Sequence, residues 1–151
     1  MQRKALTIFL AFFICILVGY SAHAKTKPPY YQKVEAFFEI LEKGEVEKAV
    51  DYIYQDNPWV KKKPDQIQEV RGRLVGASKY VGKYLGHSFL QEKRVAGRFV
   101  QITYMVLYDR QPAVFSFRFY RPKQNWRTQG FSFNFDLYEM VSEEVEKTLF
   151  K

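Results

Sequence analysis

"FYRPKQNWRTQGFSFNFD", residues 119–136, sets six aromatic side chains beside Arg121, Lys123 and Arg127, around the turn-forming Pro122. Such a stretch is either a surface that grips a polyanion or the inside of a sheet. Side chains two apart on a strand share a face, so Phe131, Phe133 and Phe135 point together. Just upstream, Phe115, Phe117 and Phe119 do the same. Burying each phenylalanine is worth roughly 2 kcal/mol, so the six offer on the order of 12 kcal/mol, comparable to the roughly 5 to 15 kcal/mol net stability of a whole domain. They belong in a core. A single-stranded nucleic-acid site needs its aromatics exposed beside its cations, whereas Arg118 alternates with the phenylalanines and faces away from them, so no nucleic-acid partner is expected.

Working outward, period-two patterning marks strands over residues 87–94, 98–108, 113–121 and 126–135. "VAG", "DRQP" and "PKQN" join them, and connections this short make neighbours antiparallel, giving a meander. In the second strand Val100, Ile102, Tyr104, Val106 and Tyr108 share the face of the phenylalanines. Before residue 86 the period is helical. Val34, Phe37, Phe38 and Leu41 form one stripe closed by Gly44, and Val46, Ala49, Val50, Ile53 and Tyr54 form a second. After the loop "QDNPWVKKK", Pro64 and Asp65 suit the start of a third helix. Its stripe is Ile67, Val70, Leu74, Ala77 and Val81, with Arg71, Lys79 and Lys83 opposite. Gly72, Gly76 and Gly82 fall within this helix and Gly86 is placed to close it. Asp136 and Glu139 suit the start of a C-terminal helix running on Leu137, Val141, Val145 and Leu149. The expected class is α+β: N-terminal helices on a four-stranded antiparallel meander, plus a C-terminal helix.

The N-terminus reads as an export signal: cationic "MQRK", sixteen mostly apolar residues from Ala5 to Tyr20, then "SAHA" with small residues at Ala22 and Ala24. Residues 1–24 are therefore expected to be cleaved, leaving one domain over residues 25–151 in the periplasm or secreted. An uncleaved anchor is the alternative, and the only membrane contact expected. Cys15, the chain's one cysteine, lies in the signal, so neither a disulfide nor a thiolate metal site is expected in the domain. Of the net charge of +8, only Arg3 and Lys4 lie in the signal, and the remaining excess favours an anionic partner or surface.

Familiar catalytic sets are missing. His87 is the one histidine beyond the signal, and adjacent Ser88 points to the other face of its strand, so the two form no dyad. One histidine without cysteine makes a zinc site unexpected, and no cofactor motif appears. Asp109 suits a hairpin turn.

Helices followed by a meander, with "YDRQPAVFSFRFYRPKQNW" feeding "GFSFNF", resemble small exported members of the nuclear transport factor 2-like superfamily, also called SnoaL-like or cystatin-like. The resemblance spans residues 30–136, and its specific part is the last two strands. It implies a cone, with the sheet curling around a cavity. Such a cavity would be lined by Tyr54, Tyr104, Tyr108, Phe117 and Phe133. Family enzymes place an acid, histidine or tyrosine there, which makes Tyr104, Tyr108 and Asp51 the catalytic candidates. Members often pair through the other face of the sheet, so a homodimer through Met105, Leu107, Tyr120 and Trp126 is expected, on a face shared with Phe99, Val114 and Thr128.

Two functions fit this reading. The first is an exported, non-enzymatic binding domain whose cone takes a small apolar or amphipathic ligand, or whose sheet engages an envelope protein. The alternative is a SnoaL-like enzyme performing proton transfer in the cone. An ionisable group converging on the cavity separates them.

Overall fold

Prolines start three of the four helices seen in the computed structural model, which describes residues 27–137. The fixed φ of proline suits a first helical turn, and its missing N–H costs nothing there. The helices are α1 (Pro29–Glu42), α2 (Val46–Tyr54), α3 (Pro58–Lys61) and α4 (Pro64–Val81). The strands β1 (Tyr84–Val95), β2 (Phe99–Tyr108), β3 (Ala113–Tyr120) and β4 (Arg127–Asn134) follow and pair in chain order, all antiparallel. The result is the α+β arrangement that the change of period implies. The export signal and the C-terminal helix beyond Leu137 lie outside the described residues.

The core forms where the patterning puts it. Phe115, Phe117, Phe119 and Phe131 are buried on the helix side, with Val100, Ile102, Tyr104, Val106 and Tyr108 beside them, while Phe133 and Phe135 are half-buried. Helix α1 supplies the opposing layer through Val34, Phe37, Phe38 and Leu41. The Phe37 ring lies 5.1 Å from both Phe117 and Phe131, edge-on to the first. Helix α4 contributes less than its stripe suggests: Leu74 and Val81 are sealed, but Ile67, Val70 and Ala77 stay partly exposed.

Three features depart from the expectation. Residues 58–61 of the presumed loop form α3, because the buried Asn57 caps them: its Oδ1 accepts from the N–H groups of Trp59 (3.0 Å) and Val60 (3.3 Å). Gly86 does not close α4. The helix stops at Val81, Gly82 leaves it at φ +87° and ψ −156°, and Gly86 already lies in β1 opposite Leu107. Strand β1 therefore starts before the expected residue 87. The turn after β2 takes over the end of α4: Arg110 N–H donates to the Val81 carbonyl, Arg110 Nη1 to that of Tyr80, and Asp109 Oδ1 accepts from Lys83 N–H. The third departure is a bulge. The β3–β4 register slips between Arg118 and Phe119, leaving Gln129 unpaired, and everything before it in β4 changes face.

The Gly82 conformation is one that essentially only glycine adopts, and a Cβ there would fall 1.6 Å from Asp109 Oδ1. Gly82→Ala is expected to cost about 2 kcal/mol or more in urea unfolding. Gly72→Ala, in open space on the same helix, is expected to add about 0.5 to 1 kcal/mol. Equal effects at the two sites would refute this account of the α4 terminus.

Candidate functional site

The five residues expected to line one cavity are dispersed. Phe117 is fully buried among other rings, and Phe133 lies half-buried beneath the Arg73 guanidinium. Tyr54, Tyr104 and Tyr108 open onto three separate clefts of about 300, 440 and 220 Å³. Tyr54 is a structural tie. Its hydroxyl accepts from Phe131 N–H at 2.9 Å and faces the Phe131 carbonyl at 3.4 Å. On the other side of the Gln129 bulge, Asp56 Oδ1 accepts from Thr128 N–H (3.1 Å) and Asn57 Nδ2 donates to the Thr128 carbonyl (2.7 Å). The end of α2 thus grips β4 on both sides of its irregularity. Asp51 is no cavity residue: it is exposed and paired with Arg71 on α4. The buried Tyr108 hydroxyl has no hydrogen-bond partner among the described residues.

The bulge also revises the outer face. Thr128 pairs with Phe119 and is fully buried on the helix side. Trp126 packs edge-on against Tyr30 of α1 at 4.9 Å, so it stands apart from the face that carries Met105, Leu107 and Tyr120. Arg127 takes the outward position instead, above the Tyr120 ring. Of the four residues expected to pair two chains, Leu107 alone is exposed.

The largest of the three clefts opens between α1 and β1. Two bulges in β1, at Leu85 and Leu90, flank the stretch that lines it. Counting by twos from His87 would bring Gln91 and Lys93 inward; the second bulge brings Glu92 and Arg94 inward instead, opposite Ile102 and Val100. The cleft is walled by Tyr31, Phe89 and Tyr104, with Glu35 and His87 among the rings and Lys27 also on its lining. The His87 ring lies flat on Phe38, with centroids 3.8 Å apart and planes 11° from parallel. Its Nδ1 is 2.6 Å from the Tyr84 hydroxyl and its Nε2 is 3.4 Å from Glu35 Oε2. Ser88 plays no part in this, as the strand geometry requires.

Beside this row, Glu92 accepts hydrogen bonds from the Tyr30 and Tyr31 hydroxyls and from Arg94 Nε. Burial raises the Glu92 pKa, but the hydrogen bonds from Arg94 and Tyr31 outweigh it and hold the carboxyl below its ordinary value. The tyrosines move the other way. Burial first, then the nearby Glu35 and Glu92 charges, push Tyr104 up to about 12. Burial with Glu42 and Glu35 pushes Tyr84 up to about 12. Both hydroxyls therefore keep their protons at neutral pH. No group of three or more potential metal ligands occurs among the described residues.

Sequence reasoning missed this cluster for two reasons. The first helical stripe is read from Val34, yet Pro29 opens α1 before it and puts Tyr30 and Tyr31 on the helix. The β1 bulges, in turn, are invisible to a period-two count. Proline at a first helical position was the available signal.

No protein-family model and no curated protein matches the chain. Among solved structures it is similar to a crystal structure from Campylobacter jejuni described as a "Putative NTF2-like transpeptidase". The two share 13% identity over 67% of this chain and 97% of the other, with a TM-score of 0.48. A likeness of that degree concerns the chain path and brings no activity with it.

Two measurements check this geometry. Tyr54→Phe leaves the buried Phe131 N–H without its acceptor, and a loss of about 1 to 3 kcal/mol in denaturant unfolding is expected; an unchanged midpoint would remove the tie. Glu92 has a lowered folded pKa, so its contribution is present above its ordinary value of 4.5 and is lost as pH falls through the folded pKa. The melting-temperature gap between wild type and Glu92→Gln should thus be widest near neutral pH and close under acid. A gap independent of pH would show that the carboxylate charge contributes nothing.

Proposed function

We propose that this chain is a binding domain, exported and non-enzymatic, that takes a small amphipathic ligand in the cleft between α1 and β1. The observation that carries the reading is the composition of that cleft. Phe89, with 52% of its surface exposed, stands beside the Tyr31 and Tyr104 rings, and Glu35 and His87 face the same space of about 440 Å³. That volume falls within the roughly 300 to 1,000 Å³ of small-molecule sites. An apolar body would lie against the three rings while a hydrogen-bonding head meets Glu35 or His87. The filled core supports a rim site over a central cavity, because Phe37, Phe115, Phe117 and Phe131 interlock where a deep ligand would sit. Export rests on the N-terminal pattern of the sequence.

One observation favours the enzymatic alternative. The row Tyr84, His87, Glu35 is an ionisable group converging on the cleft, the feature that separates the two readings. The Nδ1 atom is taken by the Tyr84 hydroxyl, however, Nε2 faces Glu35, and the neighbouring tyrosines hold their protons, so the cleft offers contacts more readily than a free base. A substrate that displaced Glu35 from Nε2 would change that.

The test uses N-phenyl-1-naphthylamine, a neutral amphiphile whose fluorescence rises in apolar sites. Saturable binding is expected, weakened about fivefold in Phe89→Asp by loss of roughly half a phenylalanine's burial. An unchanged melting temperature would show that this variant is folded. Identical affinity in the variant would place the ligand elsewhere. His87→Gln should leave binding within a few-fold; if it abolished turnover of a bound compound instead, the proton-transfer reading would replace this one.

A further inference from the structure

The two ends of the sheet carry different charge. At one end are the β1–β2 hairpin and the β3–β4 connection, which bring together Lys93, Arg94, Arg98, Arg121, Lys123 and Arg127 with Glu92 as the acid among them. At the other, Lys79, Lys83 and Arg110 are interleaved with Glu42 and Asp109. The cationic end is a built surface. Arg121 N–H donates to the Arg98 carbonyl at 2.8 Å, Arg98 Nη1 to that of Pro122 at 2.9 Å, and Arg121 Nη2 to that of Gly97 at 3.0 Å. These acceptors are neutral carbonyls, so the hairpins are laced together while no acid among the described residues pairs with Arg98 or Arg121, the latter lying over the Trp126 ring at 5.1 Å. At the tip Val95 is 62% exposed, an apolar side chain set among cations.

The N-terminal segment joins the fold at this same end. Tyr30, at the start of α1, lies against Trp126 and Phe119 and reaches Glu92, and Lys27 stands over the Tyr31 ring. The apolar run from Ala5 to Tyr20 precedes Lys27 by only a few residues. Kept as an anchor, the alternative to cleavage, that run would hold this cationic surface and its apolar tip against a bilayer, the one occupant whose charge and apolar interior match both. We propose that this end of the domain docks on the headgroups of an anionic phospholipid bilayer, with the exposed Lys93, Arg98 and Lys123 facing the lipid and Val95 entering the interface. Each cation near such a surface contributes about 1 kcal/mol, roughly fivefold in partitioning, within a Debye length. The proposal does not depend on the ligand cleft.

The experiment measures partitioning of the full chain onto phosphatidylcholine vesicles, with and without about one part in three of phosphatidylglycerol. Binding at least about tenfold stronger to the anionic vesicles is expected, falling when salt is raised from about 0.1 M to about 0.5 M. Lys93→Glu with Lys123→Glu should lower that partitioning at least about tenfold. Both lysines are exposed, and unchanged melting would show the variant folded. Lys79→Glu with Lys83→Glu, the same charge change at the other end, should lower it far less. Equal binding to both vesicle types would assign membrane contact to the N-terminal segment alone and overturn the proposal. So would equal effects of the two double variants, which would mean net charge without a face. Salt-sensitive binding to heparin with none to vesicles would overturn it in favour of a soluble polyanion.

Discussion

Phe37 and Phe38 of α1 meeting the inward phenylalanines of β3 and β4 is the contact on which the rest of the molecule rests. Phe37 lies within ring contact of Phe115, Phe117 and Phe131, and Phe38 within ring contact of Phe115, Phe117, Tyr104 and His87. Two adjacent helix positions therefore join all four strands to the helix layer, the contact with β1 being the histidine of the cleft. Edge-on and offset ring pairs are favoured over face-to-face ones and add about 0.5 to 1.5 kcal/mol each beyond area burial, so the contact orients α1 as well as holding it. In the described domain, which has no cysteine to staple it, these rings and the Tyr30 contacts with Phe119, Trp126 and Glu92 at the helix start fix the angle at which α1 crosses the sheet.

Orientation of α1 in turn decides where polar chemistry can occur. Strand β1 runs twelve residues, against eight in β3 and β4, and the helix layer does not cover all of it. Phe38 reaches His87, but Phe89 two residues on is half in solvent. The cleft is the uncovered inner side of an overlong edge strand. Edges of this kind invite unwanted pairing, and β1 carries two common defences, bulges and inward charges at Glu92 and Arg94. The polarity of the cleft itself comes from Glu35 on α1 and His87 on β1, with Glu92 and Arg94 standing just beyond it.

How far the sequence could be read follows from where strand parity holds. Over Val100 to Tyr108 and Phe115 to Phe119 it holds without interruption, and every inward residue there is buried. It fails where a bulge inserts a residue. Trp126 and Thr128 change face because Gln129 is unpaired, and Glu92 and Arg94 turn inward because Leu90 is. The β4 bulge depends on groups far away in the chain: Tyr54, Asp56 and Asn57 bond the backbone on both its sides, a long-range condition that no local pattern records. Asn57 carries both messages at once. Its cap on α3 is local and could have been seen in "DNPW", whereas its bond to Thr128 could not.

The candidate site was less legible than the fold for the same reason. Asp51 sits next to an apolar stripe in sequence, but one helical position is about 100° of rotation, enough to carry it out to Arg71 and solvent. Tyr54, on the stripe itself, uses its hydroxyl to hold β4: the oxygen accepts from Phe131 N–H and its one proton is directed at the Phe131 carbonyl, so the group serves the strand. His87 looked inert because its sequence neighbour was the wrong partner. Its actual partners are Tyr84, three residues back across a bulge, and Glu35, on a helix that reaches it only because Phe38 stacks on its ring. The core contact is therefore also what builds the site: were Phe38 to lose its place against the sheet, His87 would lose the face it lies on and Glu35 its approach.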